Sequence, residues 1–548
     1  MMHALKSPSF FRPSSRPSSP SPGSAPPSRP DSSIGTREAR PRTKLSLTTF
    51  RRPSPAPLPV AAPPATLIQD GSYLDALSLK LSEGVSKAMA QASGPANPGE
   101  MLNGRKPIPA GRGKALGNLI ASEVNASRDN PHLRRAVFRA LQRPLSVLLT
   151  NISTDLLPLL SSPAFLSPPV PTVQAPNPNP AQVHALALAT FAGELLETFD
   201  ELGLGLENDS RGDGLKHVRD GLGSVVHRVV NPLVTGIKNE LAPLIEALER
   251  PSASGTVVSK STGKVTSQHP SIAAMQHVMP IYARALARYT ATPVSQASLA
   301  TLIISLVWRG LVALSHRPDI TSSTRPSPPP SPSMGGVKKR RGSSTTPPVT
   351  PPASRFTMKL PPSRPPSPPA VPVPTSAATD ARALYELLNV LPRPAPDKKS
   401  TQLAREAVDE AFDGLKALVS LLEAVQSHAM HLKAGSVEEL EKDLDVITAG
   451  LPIMIALPIL LRAYVYSSNN DIRDPAQMRT IASMVGLSEE EYRKGCLAGY
   501  GRAEEYEVMV GERVYNALRR DEGLRRQTGP AYEAVLLWLE GRINGEED

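Results

Sequence analysis

Four consecutive cations, Lys338, Lys339, Arg340 and Arg341, form the clearest chemical signal in this 548-residue chain. The stretch around them contains no acidic residue and many prolines. Such a cluster suits an acidic protein groove, including those of nuclear import carriers, or the phosphates of nucleic acids and lipids. The sequence therefore predicts a basic binding segment at this point of the chain.

The same stretch carries patterns that protein kinases modify. Arg340 and Arg341 are followed by a glycine and Ser343, and this Arg-Arg-x-Ser pattern recurs in front of Ser54. Many other serines and threonines directly precede proline. The candidate phosphosites are Ser54, Ser327, Ser331, Ser343, Thr346, Thr350 and Ser367. Each phosphate adds about −1.5 to −2 charges, so two or three near the cluster would cancel it and act as a charge switch.

Positive charge and proline are concentrated in two tracts. Residues 1–66 carry a net charge of +8 and residues 319–377 carry +7, whereas the whole chain carries +11, which leaves the other 423 residues at −4. The same tracts hold 32 of the 60 prolines. This composition cannot bury enough apolar surface to offset the entropy of ordering, so both tracts are expected to be disordered.

Composition also narrows the class of protein. Aromatic residues make up only 4% of the chain, so its cores must be built from Leu, Ala, Val and Ile, which favours helices packed on helices. Cys496 is the only cysteine, which excludes an intrachain disulfide and is typical of a reducing compartment. The N-terminus has no secretory apolar core, and we expect a cytoplasmic or nuclear protein.

Two apolar runs require a membrane test. The run 299–314 contains Arg309, and the run 446–461 contains Pro452 and Pro458. Each is shorter than the roughly 20 residues that a spanning helix needs. Both are interpreted as buried helices of a protein core, so no transmembrane segment is expected, although a shallow membrane contact stays open.

A glycine-rich, basic segment, residues 111–117, precedes a predicted helix. Glycines and cations at a helix N-terminus can hold an anion, but the spacing of a phosphate-binding P-loop is absent. The carboxylate pairs Glu194/Glu197 and Asp200/Glu201 lie on an amphipathic helical pattern. They are interpreted as a solvated helix face.

Residues 481–488 resemble the turn of a helix-turn-helix motif, with Ala482, Gly486 four residues later, and Ser488 opening a new helix. In that motif the second helix reads the major groove of DNA. Here it would begin with three glutamates, which repel phosphates. The segment is therefore interpreted as a glycine-terminated helix followed by one capped by Ser488 and Glu491.

No catalytic signature is present in the sequence. It lacks the nucleophile-elbow, metalloprotease and EF-hand patterns. His428 and His431 are three residues apart, but no third ligand is fixed near them. No cofactor and no metal site is expected.

Helical periodicity recurs along the rest of the chain, and period-two alternation does not. The sequence predicts an all-α protein in which two helical bundle-like or solenoid-like bodies, 67–318 and 378–545, are joined by a disordered proline-rich linker. Residues 1–66 would form a disordered tail. The sequence does not decide whether the two helical regions pack into one continuous body instead.

These features favour a non-enzymatic scaffold or adaptor with phosphorylatable basic segments. Its expected partners are other proteins, which would supply a helix or peptide, and protein kinases. The alternative is a nuclear regulator that contacts nucleic acid through its basic tracts. An enzyme with an unfamiliar helical site and a peripheral membrane protein are further possibilities.

Overall fold

A computed structural model describes residues 66–91, 93, 100–169, 178–206, 214–251, 268–318, 376–396, 398–427, 436–466, 479–498 and 503–545. The chain from Pro64 to Asp548 forms one compact unit. Within the described residues the regular elements are helices, and the one extended pairing is an isolated bridge between Leu102 and Arg105. The expected all-α fold is confirmed for this part of the chain.

In the described part of the chain, seven α-helices precede the second basic tract. They are α1 (Thr66–Met89), α2 (Arg112–Ala126), α3 (Pro131–Leu160), α4 (Pro180–Leu202), α5 (Lys216–Glu246), α6 (Pro270–Tyr289) and α7 (Pro293–Ser315). A short 3₁₀ turn, Ala247–Glu249, extends α5.

Nine α-helices follow the tract among the residues that the structure describes. They are α8 (Ala377–Leu388), α9 (Lys399–Gln426), α10 (Val437–Thr448), α11 (Ile453–Leu460), α12 (Ile481–Val485), α13 (Glu489–Leu497), α14 (Ala503–Arg520), α15 (Glu522–Thr528) and α16 (Pro530–Asn544). Beyond α11 the chain continues as a π-helical turn, Leu461–Tyr466.

Local sequence explains where several helices begin. The Asn130 side chain accepts hydrogen bonds from two backbone amides of α3, and Pro131 occupies the first helical position. Asn179 and Pro180 repeat this arrangement at α4, where Gln182 completes a capping box. Asparagine satisfies otherwise orphaned amides, and proline loses nothing there because its missing N–H would be unpaired anyway.

Prolines inside the helices do not end them. Pro144 and Pro158 lie within α3, Pro232 and Pro243 within α5, and Pro280 within α6. Every one of these helices continues through its proline. Each proline removes one backbone hydrogen bond, so packing of the flanking turns must offset the loss.

The helices on the two sides of the second basic tract share one hydrophobic core. Helix α7 packs against α5 on one side and against α9 on the other. The indole N–H of Trp308 on α7 donates a 2.7 Å hydrogen bond to the carbonyl of Cys496 on α13. Of the two arrangements that the sequence left open, the described helices adopt the continuous one.

Helix α7 lies at the centre of this core. Its 23 residues are long and apolar enough to cross a membrane by length and composition, and 67% of its most apolar window is buried inside the protein. The apolar run 299–314 is shorter than the helix that contains it, because the helix begins earlier, at Pro293. Burial among α5, α8 and α9 accounts for its apolar character.

Helices α2 and α4 approach each other closely through glycines. A Cβ atom at Gly113 would lie 2.3 Å from the backbone oxygen of Phe191, and one at Gly117 would lie 2.1 Å from Oγ1 of Thr198. Real Cβ atoms essentially never approach so closely. Glycine is therefore required at this crossing because the partner at Gly113 is backbone, which cannot rotate away.

We predict that Gly113→Ala lowers the free energy of unfolding by about 1–3 kcal/mol, the usual cost of overpacking. Gly223→Ala on α5 is the matched control, because a Cβ there meets nothing within 4 Å. It should be neutral or stabilising by up to about 1 kcal/mol, since alanine favours helix. Urea unfolding of the two variants measures the difference, and equal effects would contradict the close-contact explanation.

Candidate functional site

The residues singled out as functional from the sequence lie outside the described part of the chain. They are the cluster Lys338, Lys339, Arg340 and Arg341 and the candidate phosphosites Ser54, Ser327, Ser331, Ser343, Thr346, Thr350 and Ser367. His428 and His431 also lie outside it. The structure does describe the two points at which the second basic tract leaves and rejoins the helical body.

An ion pair joins these two points. Nη1 of Arg317, two residues after α7, lies 2.5 Å from Oδ2 of Asp380 in the first turn of α8. The two side chains are only 2% and 3% exposed. The chain therefore returns at residue 376 to the place that it leaves at residue 318.

The surroundings of Asp380 favour its negative charge. The N-terminus of a helix carries a partial positive charge, and Asp380 lies in the first turn of α8. The side chain of Ser376 caps the same turn by accepting a hydrogen bond from the amide of Thr379. An intact buried ion pair contributes little net free energy to folding. Removing one partner leaves the other charge buried without compensation, which strongly destabilises the fold.

A second interruption of the described chain begins and ends beside this pair. Residues 252–267 lie between Arg250 and His269, and His269 Nε2 donates a 3.1 Å hydrogen bond to the Arg250 carbonyl. His269 Nδ1 accepts from the amide of Ser271, which fixes the neutral tautomer at the start of α6. Burial lowers the pKa of His269; its hydrogen bond to the Arg250 carbonyl and the nearby Asp380 oppose this shift, and Arg317 adds to it.

Arg250, His269, Arg317 and Asp380 together form what we call the tract anchor. The sequence analysis missed all four residues. Arg317 and Asp380 are 63 residues apart, and the charged residues give no local periodic signal of their pairing. The one hint in the sequence is that each of the four residues lies next to a point where the amino-acid composition changes sharply.

The glycine-rich segment before α2 does hold an anion, and that anion is a side chain of the same protein. The backbone amides of Gly111, Gly113 and Lys114 donate hydrogen bonds of 2.7, 3.0 and 3.2 Å to the carboxylate of Glu194 on α4. Gly111 has a φ of 86°, which a residue with a side chain rarely adopts. The helix N-terminus is therefore an internal anchor point between α2 and α4.

The α4 carboxylates form a partly solvated face, in which Asp200 and Glu201 are exposed and Glu194 and Glu197 are half-buried. Glu194 holds α2, Glu197 forms an ion pair with Lys398 near the start of α9, and Asp200 forms one with Arg219 of α5. These three carboxylates connect α4 to three other helices. Charge alone could not distinguish such contacts from a solvated surface.

The segment that resembles a helix-turn-helix is built as two capped helices. Gly486 ends α12 with a φ of 76°, and Ser488 and Glu491 form the expected capping box at the start of α13. Tyr492 is buried, and Arg493 pairs with Glu249 in the turn that follows α5. The capping interpretation is confirmed, and one face of α13 is packed against the protein.

A buried polar seam lies between α7 and α13. His316 Nδ1 lies 2.9 Å from the Val312 carbonyl, and its Nε2 lies 3.3 Å from the hydroxyl of Tyr492. Burial lowers the pKa of His316 to about 4 and raises the pKa of the Cys496 thiol. The thiol therefore stays protonated at neutral pH, which is typical of a structural rather than a reactive cysteine.

Among the described residues, no group of three or more His, Cys, Asp or Glu side chains could hold a metal ion. Compared with protein-family models, with curated proteins and with solved structures, the chain matches none. The tract anchor therefore has to be interpreted from its own geometry.

We predict that Arg317→Met lowers the free energy of unfolding by about 3–5 kcal/mol, because it leaves Asp380 buried without its cation. The double variant Arg317→Met/Asp380→Leu should lose clearly less than the sum of the two single variants, since it leaves no buried charge. Urea unfolding followed by near-ultraviolet circular dichroism measures all four proteins. Additive losses would show that the pair is not energetically coupled.

We also predict that acid destabilises the body through His316. Its pKa is lower in the folded protein than in the unfolded chain, so the unfolded chain takes up the proton first as the pH falls. Its contribution is complete above about pH 6.5 and is lost between pH 6.5 and 4, by about 3 kcal/mol at most. His316→Gln should flatten the fall in the unfolding midpoint between pH 6.5 and 5, and exposed His132→Gln should not.

Proposed function

We propose that this protein is a non-enzymatic helical scaffold that presents the basic, proline-rich residues 319–375 as a closed loop to other proteins. Protein kinases would set the charge of the loop by phosphorylating it. The observation that carries the proposal is the buried Arg317–Asp380 pair, which holds both ends of the tract on one helical core.

Attachment at both ends distinguishes a presented loop from a linker between separate bodies. The cations Lys338–Arg341 begin 20 residues after Pro318. On the composition-based expectation of a coil, a 20-residue segment has a root-mean-square span of about 25 Å. The cluster is thus kept close to the helical body, and a partner that touches both gains from a high effective concentration.

Charge provides the means of regulation. The second tract carries a net charge of +7, and each phosphate adds about −1.5 to −2 charges. About four phosphates would neutralise the tract, and its candidate sites Ser327, Ser331, Ser343, Thr346, Thr350 and Ser367 exceed that number. A partner that recognises the cations would be released by this modification.

Phosphorylation of the full chain tests the regulatory half of the proposal. We expect a basophilic kinase to modify Ser343 and a proline-directed kinase to modify the other sites of the tract, as mapped by mass spectrometry. Ser343→Ala should remove most of the basophilic signal from residues 319–375 while leaving that of Ser54, and Ser354→Ala, which lacks both patterns, should change neither. Phosphate confined to residues outside 319–375 would overturn this half.

Partner capture tests the scaffold half. The tagged chain, a variant with all four residues Lys338–Arg341 changed to alanine, and a variant with 319–375 replaced by a short Gly/Ser loop are purified from their own cells. We expect both variants to lose a shared set of proteins while keeping the unfolding midpoint, because the anchor is intact in each. An unchanged protein set would reject the scaffold role of the tract.

The same three proteins test the nucleic-acid alternative. If the tract binds polynucleotide, a labelled DNA should bind the unmodified chain at 50 mM salt, fall steeply in affinity by 200 mM, and fail to bind the loop replacement. That result would favour a nucleic-acid regulator over the protein scaffold proposed here.

A further inference from the structure

A row of three arginines lies along the exposed surface of α3. Arg135, Arg139 and Arg143 are four residues apart, so they lie one above another on the same helix face. All three are exposed, and none makes an ion pair or hydrogen bond with another described residue. This arrangement contrasts with the paired carboxylates of α4.

The row is unfavourable for the free protein. Like charges at a spacing of four residues repel each other and destabilise a helix. The first turn of α3 contains no acidic residue, and the row occupies the half of the helix nearest its positive end. A partner that places carboxylates over the row would turn this repulsion into attraction.

An apolar groove of about 430 Å³ lies at the other end of α3. Its apolar lining comes from Leu160, Phe165, Leu166 and Pro232, and Leu166 is 61% exposed. Exposed Arg228 of α5 stands on its rim without an ion pair to a described residue. The groove thus combines a pocket for a large apolar side chain with a free cation.

The carboxylate of Asp220 is the nearest one before Arg228 on α5, about 12 Å away along the helix axis. It is too distant to pair with Arg228. The rim cation is therefore available to an incoming acidic group, and the charge of the groove matches that of the arginine row.

Exposed apolar residues connect the row with the groove. Val147 and Leu157 continue the exposed side of α3 beyond Arg143 and are 50% and 58% exposed. From Arg135 to Leu157 the helix rises about 33 Å, the length of a partner helix of roughly 20 residues. The surface is thus cationic along its first half, and along its second half exposed Val147 and Leu157 alternate with exposed threonines.

We propose that this surface, from Arg135 to the groove, is the docking site for an acidic, amphipathic segment of a partner protein. Its carboxylates would lie over the three arginines, and a large apolar side chain would enter the groove. The inference rests on the proposed scaffold function and names the surface and the chemistry of one partner. A nucleic acid fits less well, because the apolar lining of the groove and exposed Val147 and Leu157 match no phosphate, and the chain outside the basic tracts is net negative.

Peptide selection on the full-length chain tests the proposal. A random 16-residue peptide library displayed on phage is selected on the wild-type chain alone. We expect enriched peptides to combine several acidic residues with a large apolar residue. Their affinity, measured by fluorescence polarisation, should fall about tenfold or more in Arg139→Glu and in Leu166→Asp. Arg519→Glu, which changes net charge equally on the last turn of α14, should have less than a twofold effect.

A stability measurement separates loss of docking from loss of folding. Arg139→Glu places a carboxylate between two arginines of the row, so its unfolding midpoint should equal or exceed that of the wild-type chain. Peptides without acidic residues, or equal binding to Arg139→Glu, would overturn the proposal. So would labelled single-stranded DNA that binds in an Arg139-dependent way while no peptide does.

The loop replacement distinguishes this inference from the proposed function. It should bind the selected peptides as well as the wild-type chain does, because the α3 surface is intact. If the tract experiments succeed and no peptide binds, the docking inference alone fails. If the peptides bind and the tract proves dispensable for partner capture, the scaffold role of the tract fails on its own evidence.

Discussion

The buried pair of Arg317 and Asp380 is the interaction on which the architecture depends. Two charges withdrawn from water cost several kcal/mol each unless they meet each other in good geometry. The pair lies between the end of α7 and the first turn of α8, so its geometry requires the chain on both sides of the basic tract to be folded together. The tract is thereby defined as an insertion into one core.

Charged side chains of the helical body are used in a consistent way to join its helices. Glu194 satisfies the N-terminus of α2, Glu197 and Asp200 pair with Lys398 just before α9 and with Arg219 of α5, and Arg493 of α13 meets the turn after α5. Most of these contacts join helices that are distant in sequence. The exposed arginines of α3 differ from these contacts, because three cations without an ion pair to a described residue lie in one row on the same helix face.

Local signals allowed much of the helical pattern to be predicted. The Asn-Pro pairs at Asn130 and Asn179 mark the starts of α3 and α4, and the spacing of Ser488 and Glu491 marks the start of α13, because caps involve residues only a few positions apart. The π-helical turn after α11 had no such signal. It follows Pro458, which disturbs the backbone hydrogen bonds of the preceding turn.

The candidate site was predictable only in part. The basic cluster and phosphosites stand out in the sequence as composition, and they remain predictions. The tract anchor does not stand out, because Arg317 and Asp380 are 63 residues apart in the sequence. The contact between Glu194 and Gly111 is hidden for the same reason, since 83 residues separate them. Such partners are selected by tertiary packing, and nothing in their immediate neighbours reports it.

The central position of α7 has a consequence for any attempt to dissect the protein. A cut within residues 319–375 would yield two fragments, and the first would expose the side of α7 that normally covers α9. An uncovered helix of 23 mostly apolar residues invites aggregation or adsorption to lipid. The fragments would regain a native core only by recombining, as the halves of a split protein do, and each studied alone would misrepresent the molecule.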